Sequence, residues 1–191
     1  MELVFATNNE HKLRELQQIL GNHFKLLSLK DIGCFEDIPE ESPTIEENSM
    51  DKAVYIFERY RKNCFADDTG LEIESLDGRP GVISARYAGE EKDMNKNIEK
   101  VLFELKEMKN RNARFKTVIS LILDGKNYQF EGLVYGKIIN EKRGNDGFGY
   151  DPVFLPDGYD ITFAQMASDE KNKISHRGIA VQKLVTFLKA L

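Results

Sequence analysis

Cysteine is scarce in this chain of 191 residues: Cys34 and Cys64 are its only two. They form no C-x-x-C pair and have no second ligand cluster, which excludes a zinc ribbon and a disulfide scaffold and marks both as buried thiols. Long apolar runs are missing as well. The longest, Val118 to Leu123, contains Ser120 and falls far short of the ~20 residues of a membrane-spanning helix. The opening MELVFATNN has no basic leader, and its apolar stretch of about five residues is too short for a secretory signal, so a cytoplasmic location without membrane attachment is expected. There is no basic excess either. The 27 Lys and Arg against 32 Asp and Glu leave a net charge of −5, which disfavours sequence-independent binding to nucleic acid, because that requires a basic face. A small anion remains possible where lysines gather. What is present is a globular composition, 41% hydrophobic, long enough for one domain without a covalent staple.

The pattern along the chain is mixed α/β. Glu2 to Ala6 reads as a short buried strand. Leu13, Leu16, Ile19 and Leu20 then recur at helical spacing, with Gly21 as the stop. Phe24 to Leu29 is a second strand. Ile38 to Pro43 reads as loop, and Thr44 with Glu47 fits a capping box opening a helix to about Lys62. Cys64-Phe65-Ala66 is predicted to be a short strand stopped by a turn at Asp67-Asp68-Thr69-Gly70, leaving two carboxylates at a strand end. Leu71 to Ile73 follows as another short apolar segment, and Gly78 to Gly81 as loop. A helix from about Asp93 carries Ile98, Val101, Leu102, Leu105 and Met108 on one face. Arg114 to Leu123 and Tyr128 to Ile139 are long β-type runs joined by Asp124-Gly125-Lys126-Asn127, a hairpin signal. Gly144 to Tyr150 is too rich in glycine for regular structure. Asp151, preceding Pro152, is biased toward an extended conformation that leads into Val153 to Leu155. A closing helix has Val181, Leu184, Val185 and Leu188 on its core face and Ser175 as N-cap. No repeat or linker divides the chain.

Four segments carry residue types suited to chemistry. Thr7, Asn9 and Lys12 lie at a strand-to-helix turn, where free N–H groups and the helix dipole favour an anion. This is not a P-loop, which needs G-x-x-x-x-G-K-[ST]. The plainer alternative is that Asn9 caps the helix and Lys12 is solvated. Asp67 and Asp68, with Glu40 and Glu41 upstream, are hard oxygen donors of the kind Mg2+ takes. Neighbours on a strand point to opposite faces, so only one of the two aspartates faces a given ion; an ordinary Asx-turn is the alternative. Gly147 to Pro152 offers backbone amides, a ring from Phe148 or Tyr150, and the Asp151 acceptor, a set that suits a nucleobase or, more plainly, an anchored loop. Lys171 with Ser175, His176 and Arg177 makes a donor cluster or a helix start with surface charges. No G-x-S-x-G elbow supports a serine triad. Arg86 either meets phosphate or closes a turn. His11 and His23 have no metal-ligand partner by spacing.

In order along the chain, FATNNEHK, IPEESPTIEENSMDKA, ADDTGLEIESLDGRPGVISARYAG, GFGYDPVF and DEKNKISHRG resemble the inosine/xanthosine triphosphate pyrophosphatases, the Ham1-like family. The resemblance spans residues 1–191 as one domain. It implies a mixed α/β fold of two lobes around a long twisted mixed sheet, with the substrate in the cleft between them, and a homodimer. The implied substrate is a purine nucleoside triphosphate and the implied cofactor is Mg2+. By position, Thr7, Asn9 and Lys12 match the triphosphate-binding turn, and Lys52 a lysine that reaches the phosphates. Glu40 and Asp68 match the metal ligands, with Asp68 also placed as the base that activates water. Thr69 matches a hydroxyl that contacts substrate. Phe148, Gly149, Tyr150 and Asp151 match the pocket for base and sugar, and Lys171, His176 and Arg177 the residues that close over purine and phosphates. Asn8 departs from the glycine that many relatives carry; Asn tolerates left-handed φ better than most residues. Glu40 is favoured over Glu41 by its spacing from Thr44, and Asp67 is a candidate to share the role of base.

The implied activity is hydrolysis of ITP, dITP and XTP to monophosphate and pyrophosphate, cleansing the nucleotide pool of deaminated purines. Two alternatives stand beside it. A Maf-like pyrophosphatase would act on modified pyrimidine nucleotides, against which the SHR and GFGYDP segments argue. A non-catalytic nucleotide-binding protein would lack the acidic pair, whereas Glu40 and Asp68 are both present.

Overall fold

The computed structural model of the chain describes residues 1–7, 13, 16, 17, 20 and 24–191. The first strand, β1 (Glu2–Phe5), pairs in parallel with β2 (Lys25–Leu27) in the register Leu3 to Leu26. β1 also pairs in parallel with β3 (Cys64–Ile73), Phe5 opposite Phe65, and these two rings stack with centroids 4.6 Å apart. Of the first helical segment, Leu13, Leu16, Gln17 and Leu20 are described and are helical.

Helix α1 (Ile45–Tyr60) begins where the sequence asks it to. Thr44 is extended, and its hydroxyl accepts the Glu47 N–H at 3.1 Å. The helix ends on Arg61, which takes the left-handed conformation. Its buried face is unusual: Ile45, Ala53 and Ile56 are joined there by Asn48, Ser49 and Lys52. A stripe at i, i+3, i+4 and i+7 is normally apolar, so three polar groups on it need partners.

β3 corrects one expectation. The segment Asp67-Asp68-Thr69-Gly70 is not a turn but the middle of a continuous ten-residue strand, so the carboxylates lie within a strand rather than at its end. β3 is flanked by β1 and β5 (Asn112–Leu123) and also pairs antiparallel with β4 (Pro80–Gly81). On one edge the strand is held by β1 at Cys64 and Phe65 and by β4 at Leu71 and Glu72, and pairing on either side of the four residues outweighs their local turn preference.

Helix α2 (Met94–Glu104) is capped by Asp93, whose carboxylate accepts the N–H groups of Asn95 and Lys96. Ile98, Val101 and Leu105 are buried as expected, but Met108 lies beyond the helix end and is 44% exposed. β5 (Asn112–Leu123) and β6 (Lys126–Ile138) are adjacent strands joined by Asp124 and Gly125. Both turn residues have positive φ, 49° and 76°, as a two-residue type I′ hairpin turn requires. Asp151 opens a 3-10 turn to Val153 instead of the extended segment expected, and β7 (Phe154–Pro156) pairs antiparallel with β6. Helix α3 (Ser168–Ile174) is followed by α4 (His176–Lys189), with Ser175 extended between them and accepting the Gly178 N–H through its hydroxyl.

Among the described residues seven strands form one mixed sheet in the order β2-β1-β3-β5-β6-β7, with β4 on β3. The chain divides into two compact units. One comprises Met1–Asp68, Val118–Glu131 and Ala180–Leu191, the other Thr69–Thr117 and Gly132–Ile179. In the first unit, alternation along β1 and β3 sends Leu3, Phe5 and Phe65 to one core with Leu184 and Leu188 of α4. Val4, Ala6, Cys64 and Ala66 go to another with Ala53 and Ile56 of α1. The second unit has one core, in which Leu71, Ile73, Ile98, Val101, Phe115, Phe154 and Phe163 meet. Cys34 and Cys64 are both buried free thiols. No described helix is long and apolar enough to cross a membrane.

Candidate active site

In the first unit the polar stripe of α1 faces the strand that carries the aspartates. Lys52 Nζ donates to the Asp67 carbonyl at 2.8 Å, to Glu40 Oε1 at 3.1 Å and to Asp68 Oδ1 at 3.3 Å. The lysine side chain is 9% exposed and that of Asp68 14%. Three carboxylates, from Asp68, Glu40 and Asp67, act on this one ammonium, so although burial opposes its charge the net effect raises its pKa above the ordinary lysine value. The same excess of negative charge also raises the pKa of Asp68, where it opposes the charged form. Burial first, and then Glu40 and Asp67, lift its carboxyl above the usual range, while Lys52 pulls it back only in part. A carboxylate raised in this way is a better proton acceptor than a solvated one. Glu40, rather than the exposed Glu41, is the member of the acidic loop that reaches the lysine.

The oxygens of Glu40, Asp68 and the Asp67 carbonyl already gather around one cation. An all-oxygen set with two carboxylates suits a hard divalent ion that keeps water or phosphate oxygens in its remaining positions. Among the described residues no group of three or more His, Cys, Asp or Glu is placed to hold a metal. Thr7 follows the end of β1, its N–H donating to the Phe5 carbonyl at 2.7 Å. Asn9 and Lys12, and with them Asn8, His11 and His23, lie outside the described residues.

The second unit brings together the residues expected around a base. Asp151, 2% exposed, accepts from Lys171 Nζ at 2.5 Å and from the Phe148 N–H at 2.8 Å through the same oxygen, Oδ2. Gly147 has φ 79°, and a Cβ there would stand 2.3 Å from that oxygen, so the turn wraps tightly around the carboxylate. Lys171 Nζ and Arg177 Cζ lie 4.9 and 5.4 Å from the centroid of the Phe148 ring. Phe148 is half-exposed, whereas Tyr150 is buried and donates its hydroxyl to the Ser84 carbonyl at 2.7 Å. Of the two rings, Phe148 is the exposed one. Gly149 donates its N–H to the Met94 sulfur at 3.0 Å. His176 is buried and stacks on Phe115, centroids 4.5 Å apart at 15°. Thr69 shares a 2.7 Å hydroxyl contact with the buried Thr117. Arg86 falls in a 3-10 turn, Ser84–Arg86.

The model of the Ham1 family matches residues 3–187. The chain belongs to the Ham1 family. A protein of Flavobacterium psychrophilum named dITP/XTP pyrophosphatase is 54% identical over 189 residues, which cover 99% of this Ham1 chain and 100% of the relative. The protein of that name from Bacillus subtilis is 47% identical, covering 99% and 98%. The solved structure of the Staphylococcus aureus Ham1 protein superposes with a TM-score of 0.95 at 38% identity, covering 100% of this chain and 99% of that one. A HAM1 protein from Coxiella burnetii superposes at 0.96 with 36% identity, covering 100% of both.

One residue of the candidate site went unread in the sequence. Asn48 is 2% exposed and places its amide between Ser42 N–H, at 2.9 Å, and Asp68 Oδ2, at 3.5 Å. The signal that marks it is its position one turn before Lys52 on the helix face that should be apolar.

Proposed function

We propose that this chain is a nucleoside triphosphate pyrophosphatase that hydrolyses dITP, ITP and XTP to the monophosphate and pyrophosphate, clearing deaminated purines from the nucleotide pool. The observation that supports this best is the meeting of the Glu40 and Asp68 carboxylates at Lys52 Nζ, in a chain whose relatives bear the name dITP/XTP pyrophosphatase.

In this reading Asp68 orients the attacking water and takes its proton, with Asp67 a candidate to share that role. Lys52, held charged by its acidic neighbours, faces the phosphate oxygens. A cation 4 Å from a phosphate oxygen contributes up to ~4 kcal/mol at an effective dielectric of ~20, before desolvation is subtracted. Glu40 and Asp68 are the residues that would hold Mg2+, which supplies neutralisation of the charge that develops on the triphosphate. Thr7, Asn9 and Lys12 complete the phosphate contacts and Thr69 adds a hydroxyl.

Phe148, exposed at the surface, offers its ring to the base, with Gly149, Tyr150 and Asp151 shaping the pocket. Lys171, His176 and Arg177 supply the donors. Inosine and xanthosine carry an oxygen at C6 where adenosine carries an amine, so a donor aimed at that oxygen is left facing another donor when ATP binds. A mismatch of this kind discriminates by ~10^4. Guanine shares the 6-oxo group, so rejection of GTP depends on its 2-amino group or on poor geometry of its fit. The homodimer and the cytoplasmic location belong to the same proposal, and sedimentation of the full chain tests the former.

Phosphorus NMR of dITP incubated with the protein and Mg2+ tests the bond cleaved. Pyrophosphate and dIMP are expected; orthophosphate with dIDP would contradict the reading.

A further inference from the structure

We infer that Asn48 is a positioning residue for hydrolysis, one side-chain amide that fixes the Asp68 carboxylate and the loop carrying Glu40 at the same time. The inference rests on the reading of Glu40 and Asp68 as the groups that act at the triphosphate.

Asn48 lies one helical turn before Lys52 on α1, and the two side chains divide the Asp68 carboxylate between them. Lys52 Nζ takes Oδ1 at 3.3 Å and Asn48 Nδ2 takes Oδ2 at 3.5 Å. With both oxygens approached by donors from one helix, the carboxylate is restrained from rotating about its Cβ–Cγ bond. The other end of the amide faces the acidic loop. Asn48 Oδ1 accepts the N–H of Ser42 at 2.9 Å, two residues beyond Glu40. Only one orientation of the amide satisfies both neighbours, since the flipped group would set its NH2 against an N–H and its oxygen against a carboxylate. The side chain is 2% exposed, so water cannot replace either bond without opening the site.

Ser42 has a second tether, its hydroxyl donating to Asp51 Oδ2. The loop is therefore attached to α1 without Asn48, and Lys52 joins Glu40 to Asp68 Oδ1; what Asn48 adds is a second tie, from the loop backbone to the other oxygen of Asp68. A displacement of about 1 Å in a reacting constellation can cost on the order of a hundredfold in rate while leaving substrate contacts intact.

The test uses the full-length chain with Asn48→Ala and Asn48→Ser, assayed for pyrophosphate release from dITP at saturating Mg2+ and well below each melting temperature. Exchange of the Ser42 amide is measured without metal or nucleotide. Positioning predicts that kcat falls about tenfold to a hundredfold with KM within about threefold, the pattern of a lost transition-state interaction. It also predicts that the Ser42 amide exchanges at least about tenfold faster, because its acceptor is gone. The Ser variant, which keeps a hydroxyl at the site, decides the matter if the Ala variant does not fold. A variant with kcat within twofold of wild type, or unchanged Ser42 exchange, overturns the inference. Asp68→Asn, assayed in parallel, separates the two levels: if it is inactive while the Asn48 variants are fully active, only the role of Asn48 fails. If Asp68→Asn itself turns over normally, the underlying reading fails.

Discussion

Asp151 and Lys171 form an ion pair at 2.5 Å in which the two side chains are only 3% and 13% exposed. Breaking a buried pair from one side leaves a charge without compensation, at a cost of about 3–5 kcal/mol, more than the pair itself contributes. Lys171→Met should therefore destabilise the protein by about 3 kcal/mol in urea titration and raise KM for dITP about tenfold. Adding Asp151→Asn to the same chain should recover part of the stability and none of the affinity. A single Lys171→Met variant as stable as wild type would show that the pair is solvated.

The Gly147 turn makes an independent demand on the same carboxylate. At φ 79°, with Asp151 Oδ2 2.3 Å from any added Cβ, Gly147→Ala combines backbone strain with displacement of the acceptor. Left-handed strain at a non-glycine residue costs about 1–3 kcal/mol, so a melting temperature several degrees lower is expected, together with a KM for dITP raised more than kcat is reduced. Calorimetry and steady-state kinetics measure both. A variant with unchanged KM would detach the turn from base recognition.

Asp68→Asn removes the raised carboxyl but keeps its shape. Turnover should fall by at least three decades, about 4 kcal/mol in activation free energy, while binding of a non-hydrolysable dITP analogue stays measurable by calorimetry. A variant that kept more than a tenth of wild-type kcat would take Asp68 out of the mechanism.

Much of this arrangement was legible in the residues because local chemistry and the final structure agree. Thr44 caps α1, Asp124 and Gly125 turn the hairpin, and Val181, Leu184, Val185 and Leu188 face the core. The misreadings at Asp67 to Gly70 and at Asp151 arise where other contacts outweigh the local preference. Asp67 to Gly70 has every local mark of a turn, yet β3 runs straight through it, held by neighbours far away in sequence. Asp151 before Pro152 favours an extended state, but the two bonds converging on its carboxylate hold it at the start of a 3-10 turn. The site residues emerged through resemblance more than spacing, since Glu40, Lys52 and Asp68 meet only once α1 lies along β3. Asn48 shows the limit: a buried amide on an apolar stripe becomes meaningful only when its two partners are known.

Cys64 gives a pH dependence whose sign is fixed. Its side chain is fully buried, with its thiol 3.2 Å from the Ala53 carbonyl, and burial pushes the thiol up to about 12. In the unfolded chain a thiol ionises near ~8.5. The folded state thus holds the proton more tightly, and this contribution is fully present below pH ~8.5 and lost as pH rises toward about 12. Urea titrations from pH 7 to 11 should show stability declining over that window, with a shallower decline in Cys64→Ala. Iodoacetamide at pH 8 should leave Cys64 of the native protein unmodified; alkylation at the rate of a free thiol would contradict its burial.

The most direct measurement is the ratio of kcat/KM for dITP, ITP and XTP to that for ATP and GTP, read as pyrophosphate release with Mg2+ saturating. The account predicts that the deaminated purines exceed both ordinary nucleotides by at least about a hundredfold, ~2.7 kcal/mol of discrimination at the 6-oxo and 2-amino positions. Equal rates across the five substrates, or release of orthophosphate in place of pyrophosphate, would contradict it.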